Sequence, residues 1–281
     1  MDQTFDLDDF VQRIFAEDLG TGGDVTSKAT IDADARFSAE LVCREEIVVA
    51  GLDIALAFFR VLDPEVRIKR LVGDGERLNS GIALAQLEGN ARAMLTAERS
   101  ALNTLQHLSG IATLTRRYVD AIAGTGAVLL DTRKTTPGLR VLEKYATRMG
   151  GAQNHRMRLD DGVLIKDNHV AVCGGVGEAV HRAKAANTGL QLQVEVDRID
   201  QIEAALVAGA DRLLLDNMPP PILREAVALV AGRVPLEASG GVRLETIRAI
   251  AETGVDYISL GRITQSAPAV DIGMDYSLQV S

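Results

Sequence analysis

The segment Asp131-Thr132-Arg133-Lys134-Thr135-Thr136-Pro137-Gly138-Leu139-Arg140 places an acid, a hydroxyl and two cations directly after an apolar run, Ala127-Val128-Leu129-Leu130. Two further basic clusters follow, Asn154-His155-Arg156 and Leu164-Ile165-Lys166-Asp167-Asn168-His169. From residue 133 to residue 166 there are eight Lys or Arg against three Asp or Glu, in a chain whose formal net charge is -9. A basic pocket in an acidic protein suits a small, multiply charged anion better than a nucleic acid. Arginine grips carboxylate or phosphate through paired hydrogen bonds, while lysine acts as a point charge. The plainer reading of Arg133, Lys134, Arg156 and Lys166 is a solvated charge run. Their position at the ends of apolar runs, rather than on helix faces, argues against it.

Further residues extend this chemistry. Glu195 and Asp216 are single carboxylates at the ends of successive apolar runs. Without His or Cys partners they suit Mg2+, which keeps several waters and binds through substrate phosphates; alternatively each pairs with a nearby cation. Ser239-Gly240-Gly241 and Leu260-Gly261-Arg262 end the last two runs. Glycine lets the backbone approach a phosphate, and a following helix start offers unpaired N–H groups. The alternative is a plain strand-to-helix turn. Of the four histidines, His155 is the functional candidate, and His169 stays open. His107 reads as a packed residue of a long helix and His181 as an exposed one. No Cys/His metal spacing is present. Neither a G-x-S-x-G nucleophile elbow, a Walker A loop nor a dinucleotide G-x-G-x-x-G occurs.

The elements that must position these groups fall into two styles. Residues 37–50 read as a strand pair, 52–61 as an amphipathic helix, 66–72 and 82–87 as short strands, an α+β layer. Residues 90–123 read as one long helix with a bend at Gly110. After Gly126 apolar runs alternate with amphipathic helices, and Glu195, Asp216, Ser239 and Gly261 recur at intervals of 21, 23 and 22 residues. That rhythm is the one βα units of a parallel barrel require. Six strands are clear, and a short seventh is expected near Gln153-Asn154. In such a barrel all C-terminal strand ends open on one face, so these polar residues converge in space.

Composition sets outer bounds. At 281 residues with 47% apolar content, one large domain or two modest ones can bury a full core. No apolar run approaches the roughly 18 residues of a membrane span. The segment Met1-Asp2-Gln3-Thr4-Phe5-Asp6 has no apolar stretch of signal-peptide type, and Cys43 and Cys173 are far apart. A cytoplasmic protein is expected, with no membrane partner and no nucleic acid, and with both cysteines as small core residues.

Taken together, these segments closely resemble the quinolinate phosphoribosyltransferases. The matching stretches include Glu17-Asp18-Leu19-Gly20, Gly23-Asp24-Val25-Thr26-Ser27 and Ala97-Glu98-Arg99-Ser100-Ala101-Leu102-Asn103. They continue through residues 131–140, Asn154-His155-Arg156, residues 164–169, Leu214-Leu215-Asp216-Asn217-Met218, Glu237-Ala238-Ser239-Gly240-Gly241 and residues 254–259. The resemblance implies an incomplete α/β barrel of about seven strands over residues 111–269. It implies an N-terminal α/β sandwich over residues 1–110, completed by residues 270–281. It implies a homodimer, or an assembly of dimers, with sites shared across the interface. The implied reaction takes quinolinate and phosphoribosyl pyrophosphate to nicotinate mononucleotide, pyrophosphate and CO2, with Mg2+, in NAD biosynthesis.

By motif position the resemblance makes Arg133, His155 and Arg156 holders of the quinolinate carboxylates, with Thr132 beside them and Arg99 joining from the neighbouring subunit. Lys134 and Lys166 face the pyrophosphate and ring. Glu195 and Asp216 serve the ribose hydroxyls and Mg2+. Ser239, Gly240 and Gly241, with Leu260, Gly261 and Arg262, bind the 5-phosphate. Three positions depart from the common family pattern: Gln265 stands where His is frequent, Ala152 where a third Gly is common, and Arg158 where Gly is frequent. The competing readings are a paralogous group associated with molybdenum-transport operons, a barrel lyase or isomerase using Lys166, and a non-catalytic phosphosugar binder.

Overall fold

The structure, a computed structural model, describes residues 5–277. Packing divides the chain into two units, Met1–Leu114 with Val141–Gly150 and Ala267–Ser281, and Thr115–Arg140 with Gly151–Ser266.

In the first unit the order is α1 (Leu7–Leu19), α2 (Val25–Thr30), β1 (Arg36–Cys43), β2 (Ile47–Val48), α3 (Leu52–Leu62), β3 (Arg67–Arg70), β4 (Arg77–Leu78), β5 (Ala83–Asn90) and α4 (Ala91–Ala121). Asp6 and Asp24 start the first two helices, their carboxylates accepting from the N–H groups of Asp9 (3.0 Å) and Ser27 (2.9 Å). Such caps satisfy donors that a helix start otherwise leaves unpaired. Phe10 and Phe15 of α1 meet the buried Phe58 of α3 edge-on, at ring separations of 6.2 and 5.3 Å. Helix α3 buries Leu52, Ile54, Ala55, Leu56, Ala57, Phe58 and Phe59 and leaves Asp53 and Arg60 exposed, the amphipathic helix expected with a narrow polar edge. Helix α4 leaves this unit at Leu114 and continues into the second. It runs through Gly110 without interruption. A Cβ there would collide with the Pro268 carbonyl oxygen, so glycine is needed for close approach of another segment.

The second unit holds β6 (Val128–Leu130), β7 (Val163–Ile165), β8 (Leu192–Val196), β9 (Arg212–Asp216), β10 (Leu236–Ser239) and β11 (Tyr257–Ser259). They form one parallel sheet in the order β6-β11-β10-β9-β8-β7. Gln153 adds a single parallel bridge to Leu130, beyond β6. The six expected strands are therefore present, and the seventh is reduced to one residue pair. The helices between them are α5 (Arg140–Met149), α6 (Asp167–Cys173), α7 (Val176–Ala185), α8 (Asp200–Val207), α9 (Pro220–Val230), α10 (Leu244–Ala251) and α11 (Arg262–Gln265). Pro220 and Pro221 open α9, where the missing N–H has no partner to lose.

The last strand, β12 (Ile272–Ser277), belongs to the first unit and pairs antiparallel with β1, giving the sheet order β12-β1-β5-β3. The expected contribution of residues 270–281 is followed to Ser277, and the remainder lies outside the described residues. Helix α5 also packs mainly with the first unit. Its Tyr145 hydroxyl donates to Asp74 (2.6 Å), and its buried Glu143 meets His107 Nε2 at 2.9 Å. A linear boundary at residue 110 does not anticipate this return of the chain. Among the described residues no helix is long and apolar enough to cross a membrane. Cys43 is buried and donates to the Asn79 carbonyl; Cys173 is only half-buried.

Candidate active site

The C-terminal ends of the parallel strands surround a cavity of about 780 Å3 within the second unit. Thr132, Arg133, Lys134, His155, Arg156, Lys166, Glu195, Asp216, Ser239, Gly240, Gly241, Leu260, Gly261 and Arg262 all line it. Fourteen positions spread over 131 residues of sequence thus meet because parallel strands point the same way. Arg99, on α4 in the first unit, is not among the lining residues.

The first wall rests on Asp131, which is fully buried. Its carboxylate accepts from the Asn154 side-chain amide and from the His155 backbone N–H (2.8 Å). It therefore acts beneath the pocket, fixing the 154–156 segment to the end of β6. Arg156 Nη1 donates to the Gly162 carbonyl (2.8 Å). Burial and then the Arg133 charge push the Arg156 guanidinium below its ordinary pKa, opposed by Asp161. Arg133 keeps a buried Nε with no hydrogen-bond partner in the protein. Two guanidiniums crowding each other with a donor unspent form a receptor for an anion with more than one negative group.

Opposite stand the carboxylates. Burial, then Asp216, pushes the Glu195 carboxyl above its usual range, and Lys166 pulls it back. Burial also raises Asp216, against a hydrogen bond from Asn217 Nδ2 (2.7 Å) and the Lys134 charge. Among the described residues no three His, Cys, Asp or Glu gather as a metal cage. Two carboxylates at a polar pocket wall fit Mg2+ retained mainly by water and substrate oxygens.

The third wall is glycine-lined. Gly240 has φ +91, and a Cβ on it would lie 2.9 Å from the Asn217 backbone nitrogen. Asn217 itself adopts φ +56 and donates its N–H to the Ser239 carbonyl (2.8 Å). This left-handed pair wraps the ends of β9 and β10 tightly together. The Thr264 hydroxyl donates to the Lys134 carbonyl (2.6 Å), tying α11 to the loop after β6.

The remaining expectations sort plainly. His169 Nδ1 accepts from the Lys166 N–H (2.9 Å) and so caps the start of α6. His181 is exposed. Gln265 lines the pocket, whereas Ala152 and Arg158 do not. Arg158 is exposed and pairs with Asp160.

The sequence reading missed the floor. Glu237, fully buried, lines the cavity and lies 2.7 Å from Arg212 Nη2, whose guanidinium sits 3.8 Å over the Tyr257 ring. Gln193 Nε2 donates to Glu237 (2.9 Å), and His155 Nε2 lies 3.1 Å from Gln193 Oε1. Burial opposes the charge on Glu237, but His155 and Arg212 outweigh it and hold the carboxyl below its usual range. The signal was period two. Gln193, Arg212 and Glu237 stand two or four residues before the strand-end residues Glu195, Asp216 and Ser239, hence on the same face of the sheet.

Comparison with known proteins agrees with this arrangement. The profile for the N-terminal domain of quinolinate phosphoribosyl transferase matches residues 24–109, and that for its C-terminal domain matches residues 111–275. A probable nicotinate-nucleotide pyrophosphorylase [carboxylating] of Bacillus subtilis is 44% identical, over 97% of this chain and 94% of its own. The nicotinate-nucleotide pyrophosphorylase [carboxylating] of Mycobacterium leprae is 46% identical, over 95% and 96%. The crystal structure of nicotinate-nucleotide pyrophosphorylase from Ehrlichia chaffeensis superposes with a TM-score of 0.94 at 39% identity, covering 98% of this chain and all of that one. With the two domain profiles matched over residues 24–109 and 111–275 and the pocket residues of those motifs gathered at one barrel mouth, this chain belongs to the quinolinate phosphoribosyltransferase family.

Proposed function

We propose that the protein transfers the phosphoribosyl group of phosphoribosyl pyrophosphate to the ring nitrogen of quinolinate, releasing pyrophosphate and CO2 and leaving nicotinate mononucleotide. One observation supports this most directly. A single cavity combines the paired guanidiniums of Arg133 and Arg156, the carboxylates of Glu195 and Asp216, and two glycine-lined strand ends. Those three features match a dicarboxylate, a sugar that becomes cationic, and a phosphate.

The residues divide the work as follows. Arg133 and Arg156 hold the two carboxylates, with His155 beside them, and thereby aim the pyridine nitrogen at the sugar. Its lone pair displaces pyrophosphate, so no side-chain nucleophile is needed. Positive charge grows on the ribose during departure, and Glu195 and Asp216 supply fixed negative charge there. Lys134 and Lys166 offset the charge gathering on the leaving group. Ser239–Gly241 and the residues 260–262 hold the 5-phosphate against backbone N–H groups. Once the ring nitrogen is quaternised, the adjacent carboxylate leaves as CO2; the electron pair of the broken bond stays on the ring carbon beside the cationic nitrogen, where a proton from water completes nicotinate mononucleotide. Glu195 and Asp216 would hold Mg2+ through water or substrate oxygens, and the ion would supply charge neutralisation for the diphosphate. The working form is a homodimer in which Arg99 of the partner completes the site, and the reaction takes place in the cytoplasm.

Incubation with quinolinate, phosphoribosyl pyrophosphate and Mg2+ is expected to yield nicotinate mononucleotide and CO2 in equal amounts. Nicotinate leaves one guanidinium without its carboxylate. An unpaired buried charge costs about 3–5 kcal/mol, so nicotinate turnover should be slower by a factor on the order of 100 or more. Equal turnover of the two acids would reject this assignment of Arg133 and Arg156.

A further inference from the structure

The floor of the cavity forms a one-way chain of hydrogen bonds. His155 Nδ1 accepts from the Arg156 backbone N–H at 2.7 Å. That nitrogen therefore carries no proton, and the proton of the neutral ring is on Nε2. Nε2–H points at Gln193 Oε1, 3.1 Å away, and the amide at the other end of Gln193 donates to Glu237 at 2.9 Å. Glu237 ends the chain against Arg212, which stacks on Tyr257. Both ring nitrogens of His155 are thus engaged inside the protein, and Gln193 and Glu237 are both buried.

We infer that Gln193 and Glu237 are positioning residues that lock His155 in its Nε2–H tautomer, so that Nδ1 clamps the Arg156 backbone and aims that guanidinium at the substrate carboxylate. The inference rests on the quinolinate reading of the pocket for its kinetic consequence, though not for the tautomer. On this account the buried carboxylate serves recognition without touching the substrate. Its own charge is balanced by Arg212, so it adds no net repulsion against the dianion above. Glu237 Oε2 also lies 3.5 Å from His155 Nε2, so this carboxylate faces the ring directly as well as through Gln193; Arg156, in covalent sequence with His155, and Asp131, which accepts its backbone N–H, are further charges beside it.

The test is a cycle of Gln193→Leu, His155→Ala and the double variant, with Glu237→Gln as the second probe of the same link. Gln193→Leu keeps the Glu237–Arg212 pair intact and is close in volume, which favours folding. Loss of one buried hydrogen bond should raise the KM for quinolinate about tenfold while leaving that for phosphoribosyl pyrophosphate within about twofold. In the His155→Ala background Gln193→Leu should add nothing, because its effect passes through the ring. Nitrogen-15 spectra of histidine-labelled protein, assigned with His155→Ala, should show the Nε2–H tautomer in the wild type and a shifted, less uniform His155 signal in Gln193→Leu. Multiplicative effects of the two substitutions, or an unchanged His155 spectrum in both Gln193→Leu and Glu237→Gln, would overturn the inference. Absence of quinolinate turnover in the wild type would instead remove the substrate reading, and the spectra would still decide the tautomer.

Discussion

At the residue scale the two site carboxylates behave unlike ordinary ones. Both Glu195 and Asp216 are held above their usual pKa, chiefly by burial. The native state then binds more protons than the unfolded chain between the two pKa values. Stability therefore falls as pH rises through that window, and the destabilisation is fully present above the native-state pKa values. Glu195→Gln and Asp216→Asn should melt higher than the wild type at neutral pH, and the gain should vanish at acid pH. By analogy with the loss of one preorganised electrostatic group, kcat should drop about 100- to 1000-fold, with quinolinate binding little changed. Calorimetry across pH, together with initial rates, checks both arms. A lower melting temperature at neutral pH would make these residues structural partners of the nearby lysines. Residue types made this pair legible at once, since isolated carboxylates at strand ends are conspicuous. Glu237 was not, because nothing in a strand's interior marks a buried charge until Arg212, Gln193 and Tyr257 are brought beside it.

At the scale of elements, the site depends on turns as much as on strands. Gly240 adopts a left-handed conformation against Asn217, while Gly241, at φ +61, meets nothing nearer than 4.0 Å. Gly241→Ala should carry only the left-handed penalty of about 1–2 kcal/mol. Gly240→Ala carries that penalty and a clash with backbone, so it must displace the Asn217 turn. We expect Gly240→Ala to raise the KM for phosphoribosyl pyrophosphate far more than Gly241→Ala does, with the KM for quinolinate little affected. Equal kinetic effects would mean that displacing the Asn217 turn leaves phosphate binding untouched, and would remove that turn from the proposed phosphate site. The even spacing of residues 195, 216, 239 and 261 revealed these turns in the sequence. The seventh strand was only faintly legible because Gln153 makes a single bridge and then bends away as Asn154 binds Asp131. Helices α1 and α2 escaped the sequence reading although Asp6 and Asp24 cap them. The six residues of α2 offer few periodic positions, so its cap is the stronger signal, while α1 is long enough to be read from its pattern and its cap together.

For the whole molecule the decisive question is whether Arg99 serves a neighbouring site. Mixing Arg99→Ala with Lys134→Ala, under conditions that exchange subunits, tests it. If Arg99 acts across a two-fold interface, a mixed dimer has one site with both defects and one intact site. Random pairing makes half the dimers mixed, so activity should return to about a quarter of wild type. If Arg99 serves its own subunit, every site keeps a defect and mixing restores nothing. Subunit exchange is followed independently by mass, so a silent result with exchange confirmed would end the shared-site proposal.

What the sequence determined by itself was the periodic part of this protein: strands and helices in alternation, an α+β layer before them, and polar residues at the strand ends. Those features are local, set by the reach of the backbone and the period of apolar side chains. The tertiary structure alone decided which distant pieces share a core. It sent α5 back to the first unit, because Tyr145 finds Asp74, and it set the register in which β12, expected there from the resemblance, completes a ladder on β1. It also decided the inner layer of the barrel, where Gln193 donates to Glu237 and Arg212 balances that carboxylate's charge beneath His155. A buried charge is stable only beside its partners, and partners separated by dozens of residues become neighbours only when the sheet registers are set.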